Sequence, residues 1–597
     1  MRSRVSFLAD PFANMALCVD STDPFSKHCV SIQLTLSQNM AHVCRSLMLG
    51  RTHLGLTVLV LATTPVSGVL PRPQQQTDSG DVFSLGEEFE FLAVGVHSTP
   101  MLQNAFDRYR AIIFQRRKLD GAAPALSTIT GCDVNVTSDV QVKTLTTDEA
   151  YELHVRAPRL VVRAATVFGA LYALETFSQL VRSDLSIDGT VITDKPRFAY
   201  RGTMLDTSRH YYPVTSIKMH IDAMAYAKMN VLHWHIVDEI SFPYESVVLP
   251  QMSLDGAFSP KHVYSITAIR EIVEYAMLRG VRVIPEFDTP GHVSRGWGSL
   301  SVLTQCYDVK TGAPTNFGAL NPTLNQTYAV LSTLLAEVRD VFAPEAYIHV
   351  GGDEVPKECW QSNPQIASWL HEHPSVKDFA GLETYFEQRL LALLKAQGSS
   401  YLVWQEIFDN GVEILPDTVI EVWKGGHGGD QWLWQPEMAK VTAAGFKSVL
   451  SAPYYLNYIA YGADWINYYS IEPANFSGGA TAESNGLIAG LEACFWSEYI
   501  DATNLASRAW PRAAAVAERA WSAETVTNLT DAERRLHEWR CMLLTRGINA
   551  EPIGTCSVNA QRVGGPTLQQ WCQYQVPGYG GYCADEWDPV YSAPWDR

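Results

Sequence analysis

Asp353 and Glu354 stand side by side after a short apolar run, Tyr347–Val350, and two glycines. Adjacent carboxyl groups first suggest an acid and nucleophile pair, one holding a proton for a leaving oxygen and the other acting at the carbon it leaves. Reactive or aromatic groups follow seven other short apolar runs. Tyr200–Leu205 leads to Asp206 and Arg209, Val231–Val237 to Asp238 and Glu239, and Val281–Phe287 to Asp288 and His292. Tyr401–Trp404 and Val419–Val422 end at Trp404, Glu406 and Trp423. Ser448–Ser451 precedes Tyr454, Tyr455 and Asn457, and Leu487–Phe495 precedes Trp496 and Glu498. Carboxylates mixed with indoles suit a saccharide, whose hydroxyls take hydrogen bonds and whose apolar ring faces stack on aromatic side chains.

Something must gather these groups. Helical patterns lie between most of the runs: Val214–Met229, Ile266–Arg279, Tyr328–Phe342, Leu382–Ala396 and Pro436–Ala444, with Leu505–Trp521 after the last. Eight strands alternating with helices predict an α/β chain with a (β/α)8 TIM barrel, whose active site is built at the C-terminal strand ends. The barrel is expected over residues 197–556. Residues 81–195 mix β-rich stretches, such as Val155–Val162 around Pro158, with an amphipathic helix from Thr166 to Val181. They predict a small α+β domain ending near Pro196. Residues 557–597 form a tail rich in Cys and aromatics.

The chain of 597 residues is long enough for both domains, and its net charge of -18 argues against nucleic acid as a partner. Residues 1–70 read as an extension. Its first fifty residues show no sustained periodicity, and the basic and apolar stretch from Met48 to Gly68 resembles a secretory signal peptide. Translation starting at Met40 or Met48 would place it normally; a membrane anchor is the alternative. Four sequons, at Asn135, Asn325, Asn475 and Asn528, agree with secretion.

Neighbouring side chains on a strand point to opposite faces, so Asp353 and Glu354 are not a simple acid and nucleophile across one bond. A turn past the strand end can aim both inward with separate tasks. Substrate-assisted hydrolysis needs that, since the sugar's own 2-acetamido oxygen attacks. His233-x-His235 with Asp238 has two readings, a metal site or strand packing; the missing further ligand spacing favours packing.

The stretch Ile348-His-Val-Gly-Gly-Asp-Glu-Val355 resembles the signature of glycoside hydrolase family 20, the β-N-acetylhexosaminidases. The likeness extends through Arg201–Tyr211, His233–Glu239, Ser241–Ser246, Pro285–His292 and Trp510–Arg519, and is strongest to the eukaryotic lysosomal and secreted enzymes. It implies exo-hydrolysis of terminal β-linked N-acetylglucosamine or N-acetylgalactosamine, with retention, through an oxazolinium intermediate and without cofactor. By resemblance Glu354 is the general acid, which needs a raised pKa. Asp353 holds the acetamido nitrogen and Tyr455 donates to its oxygen. Asp238 and His292 tune the acid. Arg209, Glu498 and Asn457 grip hydroxyls, and Trp404, Trp423 and Trp496 wall the sugar. Glu406 is left between catalytic support and a salt bridge.

The resemblance also implies disulfides Cys306–Cys359 and Cys541–Cys556. Cys132 resembles half of a third bridge, but residues 80–131 hold no partner. Cys572 and Cys583 form a possible pair in the tail. Tyr458 stands where the relative that accepts anionic substrates has a basic residue, which points away from sulfated sugars. The implied partners are chitin oligomers, N-glycans and other glycoconjugates, and a second copy in a homodimer. Rival readings are a binding protein on a hydrolase scaffold and a retaining glycosidase with its own carboxylate nucleophile.

Overall fold

The computed structural model describes residues 5–9, 15–19, 29–32, 68–95, 99–114, 127–424, 433–460 and 463–553. Met1–Val66 is a unit of its own. Its strands Val5–Ala9, Met15–Val19 and Cys29–Ile32 pair in an antiparallel sheet, where the sequence shows only short apolar runs without period. The stretch read as a signal peptide lies outside the described residues, apart from Gly68. So does the C-terminal tail.

In the main unit, eight parallel strands close into a barrel, the last pairing with the first. They are Tyr200–Asp206, Val231–Val237, Arg282–Phe287, Tyr347–His349, Ser400–Trp404, Val419–Val422, Lys447–Leu450 and Ile488–Phe495. Helices cover the outer face, so most strand residues are buried on both sides and read as continuous apolar runs. Inside, Tyr200, Val231, Ile284, Leu402, Val419, Val449 and Ala489 fill the end near the strand starts with an apolar layer. Above it the filling changes to ionisable groups.

The expected helix Leu505–Trp521 is two helices, Leu505–Ala509 and Arg512–Trp521. Pro511 explains the break, since it brings no N–H and pushes Trp510 before it into extended backbone. Likewise Pro158 separates two strands, Tyr151–His154 and Arg159–Ala164. These join Gln75–Val94, Ser127–Val136 and Ser186–Asp194 in a five-stranded sheet packed on helices Pro100–Phe114 and Val167–Leu180. The second helix starts at Thr166, whose hydroxyl accepts from the Gly169 N–H.

A buried ionic joint ties this α+β domain to the barrel. Arg201, on the first barrel strand, donates to Glu149 through both terminal nitrogens at 2.8 and 2.9 Å, and Lys143 adds a bond at 2.6 Å. Arg201 is wholly buried, so it anchors the strand and does not reach the strand-end cavity. Removing one partner of such a network strands the others in a dry site. We predict that Glu149→Ala lowers stability by about 3–5 kcal/mol, read from urea unfolding. A change below about 1 kcal/mol would contradict this account of the joint.

Candidate active site

The fourth strand ends at His349, and the chain turns at once through Gly351 and Gly352, with φ of +73° and +97°. Glycine is required there twice over. The backbone is left-handed, and a Cβ on Gly351 would lie 1.7 Å from Asp288 Oδ1. On Gly352 it would lie 2.5 Å from Ile407 Cδ1. The Gly352 N–H donates to Asp288 Oδ1 at 3.0 Å, fixing the turn against the third strand. Glu354 is itself left-handed, with φ of +48°. The outcome is that both carboxyl groups face one open cavity of about 500 Å³. Asp353 is buried in it, while 61% of the Glu354 side chain is exposed at its mouth.

The cavity brings together Arg209, His292, Asp353, Glu354, Trp404, Trp423, Tyr455, Asn457, Trp496 and Glu498, from seven different strand ends. The three indoles stand around its floor. Trp404 lies 6.5 Å from Trp423 and 6.3 Å from Trp496, centre to centre, and Tyr455 stacks on Trp423 at 6.4 Å. Trp404 is fixed by its N–H to Glu286 at 2.8 Å, and Trp423 by its N–H to Glu406 at 2.8 Å.

Asp238 is the junction of the polar side. It meets Arg209 at 3.0 Å, His235 at 2.9 Å and His292 at 3.3 Å. Burial alone would raise its pKa, but these hydrogen bonds and charges hold it well below the usual range. His292, another left-handed residue, spans from Asp238 to Asp353 and Glu354, each 3.6 Å from its Nε2. Burial works against its imidazolium, yet the surrounding carboxylates win and keep it protonated. Burial pushes Asp288 far up, and the neighbouring Asp353 adds to this, so the two are favoured as one acid beside one carboxylate. One Asp353 oxygen, Oδ1, has no hydrogen-bond partner although buried.

Below lies a layer that reasoning from strand ends missed. Glu286 receives His235 at 2.5 Å, and meets His233 at 3.0 Å and His349 at 3.1 Å. His233 also bonds Glu492 at 2.8 Å, and Glu421 stands 3.8 Å from both His233 and His349. The available signal was a charged residue within an apolar strand run, as at Glu421 and Glu492. Asp206 closes the first barrel strand. It accepts from the backbone N–H of Arg209 and of Ser497, and so joins the first and eighth strand ends. His233 and His235 share Glu286, but their other ring nitrogens reach Glu492 and Asp238 respectively, so the two do not converge with Asp238 on one point.

Cys306 and Cys359 form a disulfide that ties the hairpin Leu303–Leu320 to the helix Lys357–Ser362, which follows the glycine turn. Cys541 is disulfide-bonded; its expected partner Cys556, and the pair Cys572–Cys583, lie outside the described residues. Cys132 and Cys494 are buried free thiols.

A family profile for the glycosyl hydrolase family 20 catalytic domain matches residues 198–524, and one described as beta-acetyl hexosaminidase like matches residues 69–180. Beta-hexosaminidase subunit beta of Mus musculus is 45% identical over 472 residues, 77% of this chain and 86% of that protein. Subunit alpha of Bos taurus is 44% identical over 483 residues, 77% and 89% of the two. The solved chitobiase of Flavobacterium johnsoniae has a TM-score of 0.69 at 30% identity, covering 81% of this chain and 73% of its own.

Glu406 supplies a pH test of the cavity wall. Burial first, then the charge of Asp353, push its pKa from 4.5 up to about 7. A carboxyl raised on folding binds more protons in the folded state, so stability falls as pH rises from about 4.5 to 7. Glu406→Gln keeps an acceptor for Trp423 and loses the ionisation. Thermal melting across that range should slope downward less in this variant; an unchanged slope would contradict the assignment.

Proposed function

The chain belongs to glycosyl hydrolase family 20 and is a β-N-acetylhexosaminidase, and we propose that it works by a retaining, substrate-assisted route. The substrate is a terminal, non-reducing, β-linked N-acetylglucosamine or N-acetylgalactosamine of an oligosaccharide or glycoconjugate. One observation carries this reading. Asp353 lies buried among the indoles with a free acceptor oxygen, one residue before an exposed Glu354.

The steps follow from that placement. Glu354 gives its proton to the glycosidic oxygen as the bond to the anomeric carbon breaks. The acetamido carbonyl oxygen attacks that carbon from the other face, closing an oxazolinium ring. Asp353 Oδ1 accepts the amide N–H and its charge stabilises the cation. The Tyr455 hydroxyl, kept protonated by burial, donates to the attacking oxygen and orients it. Water then attacks the anomeric carbon and gives its proton to the Glu354 carboxylate, which restores the acetamide with net retention. Asp238 and His292 hold Glu354 in place. Arg209, Glu498 and Asn457 take sugar hydroxyls, while Trp404, Trp423 and Trp496 exclude water and pack the acetamido methyl and ring.

We also propose passage through the secretory pathway, to a lysosome, vacuole or the outside, and assembly as a homodimer. The Cys306–Cys359 bond and the exposed sequons at Asn325, Asn475 and Asn528 support the first; Asn135 is only half exposed. Family resemblance supports the second. Among the described residues no helix is long and apolar enough to cross a membrane.

With aryl β-glycosides, the enzyme should turn over N-acetylglucosaminide and N-acetylgalactosaminide and leave the glucoside essentially uncleaved. Comparable rates on glucose would contradict the mechanism. Asp353→Asn should lower kcat by about a hundredfold or more. Glu354→Gln should hit substrates with poor leaving groups hardest. An Asp353→Asn enzyme of normal rate would remove Asp353 from the proposed role.

A further inference from the structure

Behind Trp423 lies a carboxyl group that the reaction at the anomeric carbon does not use, that of Glu406. Trp423 stands one residue past the end of its strand, Val419–Val422, so its backbone lies outside the sheet ladder. Its backbone N–H and that of Lys424 donate instead to Gln405 Oε1, at 3.1 and 2.9 Å. Its indole N–H donates to Glu406 Oε2 at 2.8 Å. Gln405 and Glu406 are both buried, and they open the short helix Gln405–Asp409 that directly follows the adjacent strand, Ser400–Trp404. Gln405 is braced in turn, because its Nε2 donates to Asp409 Oδ2 at 3.2 Å. Trp423 is thus gripped at its backbone and at its ring by two consecutive side chains of the neighbouring strand end.

Two roles compete for this carboxyl group. Glu406 Oε1 also meets Lys424 Nζ at 3.1 Å, but 46% of the Lys424 side chain is exposed, and an ion pair open to water contributes little. Such a pair does not account for a carboxyl group buried beside Asp353, whose charge opposes its own. We propose that Glu406 is a positioning residue: through the indole N–H it fixes Trp423 as the wall against which the acetamido group is aligned for attack on the anomeric carbon. This rests on the reading that the 2-acetamido group enters among the indoles. Tyr455 shares the same support, since its ring stacks on Trp423 with the planes 28° apart. A tilt of the indole therefore reaches the hydroxyl that orients the attacking oxygen, and it also opens the side of the pocket that packs the acyl methyl. Neutral or ionised, the Glu406 carboxyl keeps an acceptor oxygen for the indole, so the hold persists across its titration.

The test compares aryl β-glucosaminides carrying an N-acetyl or an N-propionyl group. Glu406→Ala should lower kcat for the N-acetyl substrate roughly tenfold to a hundredfold, with a smaller change in KM. Its preference for acetyl over propionyl, read as a ratio of kcat/KM values, should fall by about threefold to tenfold, because a freed indole yields to the extra methylene. Glu406→Gln should restore both, since its amide oxygen accepts the same N–H. Trp423→Phe keeps a ring and removes that N–H, so it should show the same loss of preference, and adding Glu406→Ala to it should change little more. Lys424→Met should leave the preference as it is. Additive losses in the double variant, or an equal loss in Lys424→Met, overturn the positioning role while the acetamido requirement stands. So does an unchanged preference in Trp423→Phe, whether or not Glu406→Ala folds. A wild-type enzyme that cleaves the plain glucoside as fast as the N-acetylglucosaminide overturns the substrate-assisted reading, and this proposal with it.

Discussion

The site depends on one close approach: two glycines pressed between the Asp288 carboxylate and Ile407. A side chain at Gly351 or Gly352 would collide with one or the other. Without the left-handed turn, consecutive residues after the fourth strand would alternate across the sheet, and Asp353 and Glu354 would face different surroundings. With it, both enter one cavity at different depths. The same Asp288 oxygen that excludes a side chain accepts the Gly352 N–H, so the turn is held as well as permitted. Backbone strain at His292 and Glu354 belongs to the same device, since each presents its side chain to the cavity from a left-handed conformation.

Electrostatics explain why the depth matters. The barrel interior under the site is packed with histidines and carboxylates that are almost wholly buried. Such groups are expensive to bury unless each charge finds a partner. Here Glu286 gathers His233, His235, His349 and the Trp404 indole, and Asp238 gathers Arg209, His235 and His292. The histidines therefore join the two carboxylates into one network that holds Trp404 and His292 in fixed orientation. A field fixed before the substrate arrives needs little reorganisation when positive charge develops at the sugar, and that is the economy of the arrangement.

The strand ends were legible because parallel strands covered on both faces leave apolar runs, and barrel topology then places whatever follows each run at one rim. Arg209, Asp238, Trp404 and Glu498 could be gathered on that basis, in chain order. The ionised layer was not legible in the same way. Glu421 and Glu492 sit inside apolar runs, and which way they point depends on strand tilt and on partners far away in sequence. Asp206, last residue of its strand, was visible at the first strand end, but its bond to Ser497 at the eighth was not. The split of the last helix was readable in principle from Pro511, but the apolar periodicity on either side of it runs on uninterrupted.

The central claim is that the substrate's own amide oxygen attacks, with Asp353 steering it. The most direct measurement is a series of aryl N-acylglucosaminides in which the acetyl group carries none, one, two or three fluorines. Fluorine withdraws electrons from the attacking oxygen while barely changing its size. If that oxygen is the nucleophile, kcat falls steeply and steadily along the series. A flat series, with the trifluoroacetyl substrate as fast as the acetyl one, would contradict the account and return the role of nucleophile to the protein.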